Sequence, residues 1–255
     1  MEKPIIFKNQ RGKNLLGILH LPEGNKKFPL VVFCHGFGDT KTQKKLIKLS
    51  RNLVKNGIAS FRFDFEGCGD SEGDFLKATI SNEIMDLYSA INYLKKINKL
   101  NFKKLAFVGH SAGNLIYALF LEKSKVDAEA AVMWAPAFNQ KALMKYWANP
   151  KEIKQWKSRG YLYRKGKEKI IGIDYLKENI NKDYTPVLKN LKIPILIFHG
   201  GKDDTVSWHF SRDLVKKYKN IKFIYFKQAE HKFEDYYIQK ELVSKTTDWL
   251  KSFLL

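Results

Sequence analysis

An apolar run, Leu105-Ala106-Phe107-Val108, ends in Gly109-His110-Ser111-Ala112-Gly113, which leads at once into a helical stretch, Leu115-Ile116-Tyr117-Ala118-Leu119-Phe120. No other part of the chain constrains the fold as tightly. A strand that passes into a helix through one serine needs a sharp, strained backbone there, so the flanking positions must lack bulky side chains. Gly109 and Gly113 meet that need. The serine hydroxyl is then pushed out beyond the end of a sheet strand.

The rest of the chain supplies such a sheet. Runs rich in β-branched and aromatic residues alternate with helical-period segments, the pattern of a sheet covered by helices on both faces. Strands are expected over residues 5–8, 15–21, 30–34, 59–63, 105–109, 130–134, 195–199 and 222–226. The first two have no helix between them and predict an antiparallel hairpin around Gln10-Arg11-Gly12-Lys13, whereas the later ones read as parallel crossovers. Helices are expected over residues 41–56, 80–97, 112–122, 207–217 and 238–253. The fold class is therefore α/β, a mostly parallel eight-stranded sheet flanked by helices.

One segment breaks the alternation. Residues 137–188 offer no long buried strand but many aromatics, including Trp147, Trp156, Tyr161 and Tyr163. So long a loop without structure of its own would be unusual in a compact domain. It reads as an inserted cap on a core made of residues 1–136 and 189–255, with short helices over 140–148 and 151–159 and a small hairpin turning at Lys165-Gly166-Lys167.

At 255 residues, one large core is expected. No apolar run approaches the roughly 20 residues of a membrane span, and two cysteines, Cys34 and Cys68, are too few for a disulfide framework. A reduced, cytoplasmic protein with no membrane attachment is expected. The net charge of +20 invites a nucleic-acid reading, but the lysines are spread over all the helices, with no arginine block or zinc-finger spacing. A solvated, lysine-biased surface is the simpler account, so no specific nucleic-acid partner is expected.

A serine attacks an acyl carbon well only when a base takes its proton, a third group orients that base, and fixed N–H donors meet the oxyanion. Of six histidines, His20, His35, His110, His199 and His209 sit in or beside strands, turns or helix starts; His231 lies in the loop between the last strand and the last helix. Such carboxyl strand ends are where ligands collect in open parallel sheets. For the orienting acid, Asp203 and Asp204 follow the strand at 195–199; Asp204 reads as a cap for the next helix, which makes Asp203 the better partner. For the oxyanion, Gly36 and Gly38 let the turn after residues 30–34 present the Phe37 amide, with Ala112 as second donor. The carboxylates of the Asp64–Gly73 run lack EF-hand spacing and read as a structural turn; neither metal nor cofactor is expected.

In order along the chain, the HGFG turn, the RFDFEGCGDSEGDF run, Asn82-Glu83, the GHSAG elbow, Ala135-Pro136, the HGGKDDTV turn and Ala229-Glu230-His231 resemble the α/β-hydrolase superfamily over nearly the whole length. Within it the chain looks most like small carboxylesterases of the cinnamoyl (feruloyl) esterase type, which carry an inserted cap. Cys68, Ala112 and Asn114 depart from residues common there. The resemblance implies Ser111 as nucleophile, His231 as base, Asp203 as orienter, and Phe37 and Ala112 as backbone donors. A monomeric or dimeric serine esterase acting on a small-molecule ester through an acyl-enzyme is expected. His110, Trp134, Trp147, Trp156, Tyr161 and Tyr163 are candidates to line its pocket. A prolyl-oligopeptidase-like peptidase or amidase is the alternative, and a non-catalytic binding protein of the same fold is a more distant one.

Overall fold

The computed structural model describes residues 1–164 and 169–255. The turn expected at Lys165-Gly166-Lys167 lies outside the described residues. In chain order, β1 (Glu2–Lys8) and β2 (Asn14–His20) form an antiparallel hairpin with Lys8 opposite Asn14. Then come β3 (Phe28–Cys34), α1 (Lys44–Lys55), β4 (Ala59–Phe63), α2 (Ile80–Leu94), β5 (Leu100–His110), α3 (Ala112–Lys123) and β6 (Ala130–Trp134). An excursion follows, with α4 (Gln140–Trp147), α5 (Pro150–Arg159), a hairpin of β7 (Tyr161–Arg164) and β8 (Lys169–Gly172), and α6 (Ile173–Asn179). The chain rejoins the sheet at β9 (Ile195–Gly200) and ends with α7 (Trp208–Lys217), β10 (Ile221–Phe226) and α8 (Tyr236–Leu254).

The main sheet runs β1-β2-β4-β3-β5-β6-β9-β10, antiparallel at β1-β2 and β2-β4 and parallel from β4 onward. After β3 the chain steps one way to β4 and then back across to β5, so the topological switch lies between β3 and β5. Ligands collect in the crevice at the carboxyl ends of such a pair. Those two ends carry the HGFG turn and the serine elbow, with Cys34 in register with Gly109.

Both faces of the central strands are covered. Along β3, Leu30 and Val32 join the core beneath α2 and α3, while Val31 and Phe33 join the one beneath α1 and α8; Leu105 and Phe107 alternate with Ala106 and Val108 in the same way. Burial on both faces is why these strands read as continuous apolar runs. β5 begins five residues earlier than the apolar run, at Leu100, because Phe28 and Pro29 pair with Leu100 and Asn101 before a register shift. α1 begins at Lys44 rather than residue 41, the preceding turn being held by the Lys41 amide on the Asp64 carboxylate at 2.5 Å.

In the excursion, α5 starts with a capping box between Asn149 and Glu152 around Pro150 and stops at Gly160, whose φ of 83° is the left-handed value glycine tolerates. α6, which the sequence patterning does not mark, is short and turns Tyr175, Leu176 and Asn179 inward. Glu178 at its end accepts from the amides of Ile80 (2.7 Å) and Ser81 (3.0 Å), tying the excursion to the N-terminus of α2.

Candidate active site

Ser111 joins β5 to α3 with φ 52° and ψ −121°, a backbone state that persists only where the surroundings enforce it. They do so closely. A Cβ on Gly109 would lie 2.5 Å from Asn114 Oδ1, and one on Gly113 would lie 2.1 Å from the Cys34 carbonyl oxygen. Both glycines are required by close approach rather than by their own backbone angles. The Ser111 amide donates to the Trp134 carbonyl at 2.9 Å, and the buried Asn114 Nδ2 donates to the carbonyls of Ser111 (3.1 Å) and Trp134 (3.0 Å). Asn114 thus pins the elbow to β6.

The loop after β10 brings His231 to the elbow. Its Nε2 lies 3.0 Å from Ser111 Oγ and its Nδ1 2.7 Å from Asp203 Oδ2. A carboxylate only accepts, so Nδ1 carries the proton, and the Nε2 lone pair is left facing the serine hydroxyl. The loop is held in place by the Lys202 amide donating to Ala229 O at 2.9 Å and by the close packing of Gly200, where a Cβ would meet that same oxygen at 2.2 Å.

The Asp203 side chain is fully buried and both its oxygens are bonded. Oδ1 accepts from the amides of Thr205 (2.9 Å) and Val206 (2.8 Å), and Oδ2 accepts from His231 and from His199 Nε2 at 3.0 Å. Burial pushes its carboxyl upward, but the bonds from His199, His231 and Val206 prevail and hold it well below the usual carboxylate range. His199 Nε2 also faces the Val206 carbonyl at 2.9 Å, so it is the donor, and Nδ1 accepts from Ser211 Oγ at 2.7 Å. Sequence reasoning treated His199 as a strand end and missed this contact; its position four residues before the acid was the available signal. It also cast Asp204 as the helix cap. Asp204 is exposed and accepts from the Thr205 hydroxyl, while Asp203 binds the turn amides that a cap would bind.

Across the switch, a Cβ on Gly36 would stand 3.3 Å from Ser111 Cβ, so glycine lets the turn bearing Phe37 close on the elbow. His35 fixes that turn by donating from Nδ1 to Gly36 O (2.8 Å) and accepting from the Phe65 amide (3.1 Å). Ala112 is the first residue of α3, where helix amides lack intrahelical acceptors and the dipole favours negative charge. The Phe37 ring lies 4.1 Å from that of Tyr175 and 5.9 Å from that of Trp147, centroid to centroid.

Of the proposed pocket residues, Trp147 alone reaches this wall. Trp134 points away from the site into the core beneath α8, where its Nε1 donates to Thr246 Oγ1 at 3.2 Å, because strand alternation puts it on the same face as Val132. Trp156 is fully buried in the core. Tyr161 and Tyr163 are exposed on the β7-β8 hairpin, their alternate neighbour Leu162 being the inward residue. His110 is buried behind the elbow and faces main chain, not a pocket. Instead, a cavity of about 170 Å³ lies between the end of β6, α4 and the turn after Asp203, lined by Ala137, Phe138, Leu143, Val206 and Phe210.

The acidic run after β4 is turned inward. The Asp64 carboxylate accepts from the amides of Lys41 (2.5 Å) and Asp70 (2.9 Å) and from Lys41 Nζ (2.5 Å), and a Cβ on Gly69 would strike it. Among the described residues no group of three His, Cys, Asp or Glu side chains is placed to hold a metal, and no helix is long and apolar enough to cross a membrane. Cys34 and Cys68 are both buried, and burial pushes the Cys34 thiol well above its usual range.

Residues 25–171 match the family model described as serine aminopeptidase, S33. Among curated proteins, the mitochondrial palmitoyl-protein thioesterase ABHD10 of Bos taurus is 24% identical over 225 residues, covering 82% of this chain and 69% of that one. Esterase EstD of Thermotoga maritima is 25% identical over 241 residues, covering 85% and 57%. The chain spans about a third of the length of the first curated relatives it matches. Among solved structures, Est1E of Butyrivibrio proteoclasticus with ferulic acid bound superposes with a TM-score of 0.85 at 20% identity, over 98% of both chains. That likeness is one of fold, and the fold is that of the α/β-hydrolases.

Proposed function

Because the chain belongs to the serine aminopeptidase S33 hydrolase family, we propose that it is a serine esterase that cleaves small carboxylic esters or thioesters through an acyl-enzyme. The observation that carries this reading is the unbroken line from Ser111 Oγ to His231 Nε2 (3.0 Å) and from His231 Nδ1 to Asp203 (2.7 Å). Ser111 Oγ attacks the acyl carbon as its proton passes to His231 Nε2. The carbonyl oxygen becomes the oxyanion, met by the amides of Phe37 and Ala112. His231 returns the proton to the departing alcohol or thiol, leaving the acyl group on Ser111. Water then attacks that ester, gives a proton to His231, and the acid leaves as Ser111 Oγ regains its hydrogen. The relatives named as esterase and thioesterase support the substrate class.

The acyl group takes the cavity lined by Phe138, Leu143, Val206 and Phe210, whose size of about 170 Å³ suits a short or medium acyl or a single aryl group. Residues 137–188 act as a lid, with Trp147 and Tyr175 beside the Phe37 turn. The test is turnover of a short nitrophenyl ester, a matched thioester and a matched anilide by wild type and Ser111→Ala. Wild type is expected to favour the ester or thioester, and the variant to lose at least about 10³-fold in kcat. Undiminished turnover by Ser111→Ala removes the serine from its role, and a preference for the anilide moves the reading to a peptidase.

A further inference from the structure

The proposed chemistry leaves unused the histidine that precedes the nucleophile. His110 ends β5 and is 1% exposed. Its Nε2 lies 2.9 Å from the main-chain oxygen of His231. A carbonyl only accepts, so Nε2 carries the proton and donates. Nδ1 faces Asp39 Oδ2 at 3.6 Å, beyond hydrogen-bond reach, and has no bonded partner among the described residues. Burial, reinforced by the charge of Lys45 and opposed by Asp39, pushes the imidazole down to about 4. The ring is therefore neutral at neutral pH.

Two consecutive residues thus hold one residue at both ends. Ser111 Oγ meets the ring of His231, and His110 holds its backbone. We propose that His110 is a positioning residue for the base, its Nε2–H clamping the carbonyl of His231 so that the ring's reach is measured from the same turn that carries the nucleophile. The loop after β10 otherwise belongs to a different strand, two places removed in the sheet from β6 and three from β5. A direct tie to the elbow removes the relative motion of those strands from the Oγ to Nε2 distance, where an error of about 1 Å can cost on the order of 10²-fold in rate. Neutrality suits the role, because a cation in that place would oppose the imidazolium that forms on His231, the ring centroids being 5.1 Å apart.

The inference rests on His231 being the base, and the experiment separates the two. His110→Phe keeps the ring's shape and removes the donor, whereas His110→Gln restores an N–H at a similar reach. The readouts are kcat and KM for a nitrophenyl ester and the rate of labelling by a fluorophosphonate. His110→Phe is expected to lose about 10- to 100-fold in kcat and in labelling rate with KM within about threefold, and His110→Gln to recover most of the loss. A folded His110→Phe within about twofold of wild type, or a His110→Gln variant equally impaired, overturns the clamp while leaving Ser111-dependent turnover intact. Imidazole nitrogen NMR of the unmodified protein tests it without turnover or a variant. A slowly exchanging Nε2–H tautomer at His110 is expected, and an Nδ1–H tautomer or a freely exchanging proton overturns the proposal.

Discussion

Two histidine–carboxylate pairs meet at the elbow, their imidazole centroids 5.1 Å apart, and they are built differently. In His231–Asp203 the two groups meet at 2.7 Å, the acid takes a second histidine and two amides, and the far nitrogen of the ring opens on a hydroxyl. In His110–Asp39 the groups stand 3.6 Å apart, the acid side chain is 29% exposed, and the far nitrogen is spent on a main-chain carbonyl. A hydroxyl has a proton to give and a carbonyl has none. The same two residue types therefore suit the base proposed for His231 in one place and the clamp proposed for His110 in the other, according to what each ring's outer nitrogen faces.

The sharpest way to break that contrast is to neutralise each acid. Asp203→Asn is expected to cost about 10³- to 10⁴-fold in kcat, because an amide allows the wrong imidazole tautomer. Asp39→Asn is expected to cost less than about 10-fold, having no bond to a ring that reacts. Equal losses in steady-state turnover would mean that the pairs share one job. A smaller effect separates the second histidine from the first. His199→Phe removes one donor from Asp203 Oδ2, so the carboxylate is held less firmly and its pKa rises. The kcat is expected to fall by about 10-fold, less than with Asp203→Asn, and an unchanged kcat would show that His199 only packs.

A carboxyl with no histidine at all gives the baseline. Glu83 is 1% exposed, neither oxygen has a hydrogen-bond partner among the described residues, and burial with Asp86 and Glu178 nearby pushes it well above the usual range. Below the unfolded value of about 4.3 both states are protonated, and as pH rises only the unfolded chain ionises, so the folded state loses stability. Glu83→Gln should leave the melting temperature nearly unchanged at pH 4 and raise it at pH 8, by roughly 2–4 °C for each kcal/mol recovered. A gain of the same size at both pH values would show that ionisation is not the cause.

The strands beside the site were legible because burial on both faces leaves no room for polar residues, and a sheet's alternation is then masked by a continuous apolar run. The first half of β5 was not, since Asn101, Lys103 and Lys104 lie where its register with β3 shifts and no apolar run marks the strand. Ser111, Asp203 and His231 stood out because each follows a strand at its carboxyl end, and these the structure brings together. The wall was misread for the opposite reason. Trp134, Trp156, Tyr161 and Tyr163 are aromatic and lie near the right stretches, but strand face and helix packing send them into the core or out to solvent.

The sequence by itself determined the strained turn at Ser111 and the chain order of Ser111, Asp203 and His231, because these follow from backbone sterics and local periodicity. The tertiary structure alone decided that His199 shares Asp203 with His231, that Asn114 pins the elbow, and that His110 reaches the carbonyl of His231. Their choice rests on which side of a strand end each side chain leaves from, a property set by packing and not by residue type.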